Sequence, residues 1–67
     1  MEATVTFKIG EIEIKTIGKA PSMSSIPEEG KKNMAVLNAM ARIKRETGLD
    51  LYEFDEDINE KAEVIFE

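Results

Sequence analysis

The stretch Ala3-Thr4-Val5-Thr6-Phe7-Lys8-Ile9-Gly10-Glu11-Ile12-Glu13-Ile14-Lys15-Thr16 decides the fold. Apolar and polar residues alternate with period two on both sides of Gly10-Glu11, which places Ala3, Val5, Phe7 and Ile9 on one face of a strand and Ile12 and Ile14 on one face of the next. A two-residue loop with glycine first is the signature of a type II′ hairpin, because glycine accepts the positive φ that position needs. The register follows: Ile9 opposes Ile12, Lys8 opposes Glu13, Phe7 opposes Ile14 and Thr6 opposes Lys15. Apolar side chains then meet on one face and opposite charges on the other. This predicts a hairpin over residues 3–17.

Beyond it, Gly18, Pro21 and the serines Ser22, Ser24 and Ser25 predict a loop over 18–25. Ser25-Ile26-Pro27-Glu28 matches the capping box S-x-x-E, which predicts a helix from residue 26. Through residue 47, Val36, Leu37, Met40, Ile43 and Thr47 share one helical face while Lys31, Asn38, Arg42 and Arg45 share the other. Gly48 suits the left-handed residue that ends a helix, with Leu49 expected to supply the hydrophobic contact of a Schellman ending. Leu51-Tyr52-Glu53-Phe54 reads as a short strand or as a turn tucking its aromatics under the helix. Residues 55–60 read as an acidic turn. From Lys61 to Glu67 alternation returns, with Ala62, Val64 and Phe66 inward, and predicts a last strand beside the first and antiparallel to it.

The expected fold is α+β, a small two-layer single domain over residues 1–67. Its antiparallel sheet of three or four strands carries one helix on one face, in the order ββα(β)β. The expected core is Val5, Phe7, Ile9, Ile12, Ile14, Val36, Leu37, Met40, Ile43, Leu49, Val64 and Phe66. Truncating Phe7 or Leu37 to Ala is expected to cost about 2–5 kcal/mol, comparable to the roughly 3–5 kcal/mol that a core of this size supplies.

Composition bounds the function. Seventeen of the 67 residues are Ile, Val, Leu or Phe, enough for a folded core. The chain contains no cysteine and no histidine, so thiol nucleophiles, disulfides, thiolate or imidazole metal ligands and imidazole acid–base catalysis are excluded. Ser22, Ser24 and Ser25 lack a histidine base, Glu53 and Asp55 form the ordinary polar face of an extended segment, and no catalytic residue, cofactor or enzyme activity is expected. Met23 and Met34 lie off the main apolar face and suit gap filling or exposure. No apolar run is long enough to span a membrane and Met1-Glu2-Ala3-Thr4 lacks a signal-peptide pattern, so a cytoplasmic location is expected.

The formal net charge is −5, and it is unevenly placed. Residues 1–45 carry eight basic and five acidic side chains, net +3, whereas residues 46–67 carry nine acidic and one basic, net −8. That balance argues against a nucleic-acid binder, since phosphate affinity rests on Lys and Arg. Asp55-Glu56-Asp57-Ile58-Asn59-Glu60 contains D-x-D-x-N, the opening spacing of a calcium loop, but Glu60 stands where the turn needs glycine and Phe66 where the bidentate glutamate belongs, so no metal site is expected. The expected role is a non-catalytic interaction module or small acidic inhibitor. Its partner-binding residues would be Glu53, Asp55, Glu56, Asp57 and Glu60, presented to a basic protein surface. One alternative is a homo-oligomeric structural domain, with Ile17 and Ile65 interrupting the polar outer sheet face. Weak divalent-cation or nucleic-acid binding is another.

Overall fold

The computed structural model describes residues 1–22 and 25–67; the loop positions Met23 and Ser24 lie outside them. Strand β1 (Glu2–Ile9) and strand β2 (Ile12–Lys19) form the hairpin, helix α1 (Glu28–Thr47) follows, and strand β3 (Glu63–Phe66) closes the chain. Between α1 and β3 lie a 3-10 turn, Leu51–Glu53, and a one-turn helix, α2 (Ile58–Lys61). The sheet has three strands in the order β2-β1-β3, and β1 is antiparallel to both neighbours. The two outer strands therefore run parallel to each other, joined by the helix across the central strand.

The hairpin has the register that alternation predicts, from Ile9 opposite Ile12 to Thr6 opposite Lys15. Gly10 takes φ 62 while Glu11 keeps a negative φ, as a type II′ turn requires. β2 continues past residue 17, because Gly18 is not a breaker here but a strand residue paired with Ala3. A Cβ on Gly18 would stand 2.1 Å from the carbonyl oxygen of Ala35, so the missing side chain is what lets α1 lie against β2.

Helix α1 begins at Glu28 and not at residue 26, and the capping box does not form: Pro27 is the N-cap and, among the described residues, no side chain caps the first turn. The residue before a proline is driven out of the helical region, and Pro27 itself is extended at ψ 151, so Ser25 lies too far upstream to cap. Glu28 and Glu29 in the first turn complement the helix dipole instead. At the other end Gly48 is left-handed at φ 78 and its N–H donates to the Lys44 carbonyl. The ending is the single-bond αL form and not the Schellman motif: the Leu49 amide donates to Thr47 Oγ1, and Leu49 is 44% exposed.

The core differs from expectation in its small and late members. Ala3, Val5, Phe7, Ala20, Ala35, Val36, Ala39, Met40, Ile43, Leu51 and Ile58 are buried, with Ile9, Ile14, Ala62, Val64 and Phe66 packed at the margin. Leu37 is 53% exposed and Ile12 at the hairpin tip 64% exposed. The close approach of helix to sheet selects alanines at 35 and 39 for the contact face, which turns Leu37 and Thr47 outward. Leu51 and Ile58, both essentially inaccessible, replace Ile12, Leu37 and Leu49 as core members.

Candidate acidic interface

The acidic segment is built on two buried anchors. Asp50 Oδ1 accepts the Tyr52 amide at 3.1 Å and starts the 3-10 turn, which drives Leu51 inward; Tyr52 and Phe54 are exposed and do not tuck under the helix. Residues 51–54 are thus a turn and not a strand. Residues 55–60 are more than a turn, because α2 begins at Ile58 and buries that side chain against the sheet and α1.

Asp55 locks the segment between the anchors. Its Oδ1 accepts the Asp57 amide at 3.0 Å and its Oδ2 accepts from Lys61 Nζ at 2.7 Å. The Lys61 hydrogen bond, helped by the Asp57 amide, holds the Asp55 carboxyl below its ordinary value of 3.8, and the same bond raises Lys61 above 10.5. Asp55 is therefore half-buried and internally engaged, while Glu53, Glu56, Asp57 and Glu60 are exposed. Of the five acids expected to meet a partner, four face solvent on one anchored segment and the fifth braces it. The first position of the D-x-D-x-N spacing already holds a lysine, and among the described residues no group of three or more acidic side chains converges on a point where a cation would sit.

Two further features border this segment. A groove of about 820 Å³ separates β3 from the amino-terminal half of α1, with Glu29, Lys32 and Val36 on the helix side and Glu60, Glu63 and Val64 on the other. A smaller groove of about 220 Å³ lies between α1 and the 3-10 turn, lined by Leu37, Met40, Ala41, Lys44, Leu51 and Tyr52. Sequence reading missed Glu29 and Glu63 as groove residues, since only the crossing of helix and strand brings them to one rim. Among the described residues no helix is long and apolar enough to cross a membrane.

Comparison with protein-family models, with curated proteins and with solved structures finds no match to this chain.

Proposed function

We propose that the domain is a non-catalytic interaction module, a small inhibitor being one form of it, which presents its acidic carboxyl-terminal segment to a basic protein surface. One observation carries the reading: Glu53, Glu56, Asp57 and Glu60 are exposed on a segment fixed by Leu51, Ile58 and the Asp55–Lys61 pair. Charges held on a rigid support lose little entropy on binding, and a one-signed surface speeds encounter with the opposite sign. The mechanism is occlusion of the basic surface by an acidic one.

The test is a joint reversal of Glu53, Glu56, Asp57 and Glu60 to Lys, with Asp55 left intact as the brace. Proteins retained from a native cell extract by the wild type in a salt-sensitive way should be lost by the variant, whose melting temperature should stay within a few degrees. Retention of the same proteins by the variant would sink the reading.

A second reading, self-association through the sheet, is favoured by a specific arrangement. Ile17 and Ile65 both oppose Thr4, so the two exposed isoleucines stand in one row across the outer face.

A further inference from the structure

We infer that the β3 edge of one molecule receives the β2 edge of a second copy, extending the sheet head to tail. This rests on the second reading above and adds the register, the polarity and the residues.

Backbone parity sets which groups are free. Glu67 donates its amide to the Glu2 carbonyl at 3.1 Å, so in β3 the odd residues 63, 65 and 67 face β1, and Val64 and Phe66 direct their N–H and C=O outward. In β2 the pairing of Ala20 with Met1 makes the even residues face β1, and Lys15, Ile17 and Lys19 direct theirs outward, the Lys19 N–H already donating to Asn38 Oδ1 and so lying outside the inter-copy pairing. β2 and β3 are parallel, so a translated copy offers its β2 as a parallel strand to β3. With Val64 beside the second copy's Thr16, the Val64 N–H reaches the Lys15 carbonyl, the Val64 carbonyl receives the Ile17 N–H, and the Phe66 N–H reaches the Ile17 carbonyl.

Charge selects the same register. With Val64 beside Thr16, Glu63 lies beside Lys15, Ile65 beside Ile17 and Glu67 beside Lys19, all on the outer face. Slipping the strand by two residues one way sets Glu63 against Glu13, and the other way sets Ile65 against Lys19. All six side chains of the favoured register are exposed in the single molecule, Ile65 by 66%. The helix layer follows the same polarity: Asn38, Arg42 and Arg45 flank the outer side of β2 beside Lys19, whereas Glu29 and Glu60 rim the groove beside β3. The two edges are thus unevenly charged, with Lys15, Lys19, Arg42 and Arg45 at one and Glu29, Glu60, Glu63 and Glu67 at the other, where Lys32 and the Lys8 that pairs with Glu63 at 3.3 Å offset part of the acidity. Such a contact is heterologous, so it grows into chains or closes into a ring and does not stop at a two-fold dimer.

Three samples test this by light scattering over a concentration series: the wild type, K15E/K19E, and E63K/E67K. The wild-type mass should climb above 7.5 kDa with concentration at low salt and fall back at high salt. Each variant should stay monomeric with a near-normal melting curve, and their equimolar mixture should associate again, because each supplies the edge charge the other lacks. On the wild type alone, raising the concentration should shift the Val64 and Phe66 amide resonances, which needs no variant to fold. A mass that climbs equally in all three samples would overturn the edge register and leave self-association standing. A wild-type mass fixed at 7.5 kDa to millimolar concentration would overturn both.

Discussion

At its β2 side the Lys19 end of the edge is tied to the helix: Asn38 Oδ1 accepts the outward Lys19 amide at 2.8 Å, and Gly18 brings the two backbones into contact, which leaves the Lys15 and Ile17 stretch to a partner strand. At its β3 side Val64 and Phe66 direct their backbone groups outward, and Val64 borders an open groove whose rim carries Glu29, Glu60 and Glu63 with Lys32. One edge is stitched to the second layer and carries lysines, a common way of blunting an edge; the other is short and acidic, and meets the helix only across a gap. The difference teaches that a small sheet need not treat its two edges alike, and that a partner strand is to be sought at the open β3 edge and along the part of β2 that the helix does not tie.

The strongest way to break the comparison is to force the helix off the tied end of β2. Gly18→Val drives a side chain into the Ala35 carbonyl, and the displacement should exceed the roughly 3–5 kcal/mol available to a core of this size, so the domain should be unfolded by circular dichroism at 25 °C. On the open side the support is α2, and Ile58→Ala should cost about 2–5 kcal/mol in denaturant titration, whereas Leu37→Ala on the exposed helix face should cost no more than about 0.5 kcal/mol. Equal losses for these two would return Leu37 to the core. Removing the stitch alone, by Asn38→Ala, should cost about 1 kcal/mol and speed exchange of the Lys19 amide.

The smallest effect is electrostatic. Asp55 titrates below its ordinary value, so its contribution is present above pH 3.8 and is lost as the pH falls through the lowered folded value. Lys61 titrates above its ordinary value, so its contribution is present below pH 10.5 and is lost as the pH rises through the raised one. Both hold across neutral pH. Asp55→Asn should therefore flatten the acid limb of a plot of melting temperature against pH and leave the Leu51 and Ile58 anchors in place.

The stitched half of the molecule was the legible half. Period-two alternation and a two-residue glycine turn specify the hairpin and its register, because a slip of one residue would expose Phe7 and bury Lys8. Where a single residue does the work, pattern fails: the apolar neighbours of Leu51 and Ile58 at strand or helix spacing include Leu49 and Phe54, which are exposed, so spacing does not single out the two buried ones, and Gly18 reads as a breaker until a helix is seen lying on it. Ser25 misleads for a different reason, since the capping pattern is intact and Pro27 vetoes it. The acids at 53–60 were visible as a run, but the separate role of Asp55 depends on Lys61 folding back. The matching triplets Lys15, Ile17, Lys19 and Glu63, Ile65, Glu67 were also visible, and acquire meaning only once both are known to be outer strands.

The asymmetry of the two edges is tested most directly by amide hydrogen exchange on the dilute protein, read residue by residue by NMR. Lys19, Ile65 and Glu67 should exchange slowly behind Asn38 and β1, while Val64 and Phe66 exchange at least tenfold faster than Ile65. Slow exchange at Val64 and Phe66 in the monomer, matching Ile65, would show that edge already closed and contradict the account.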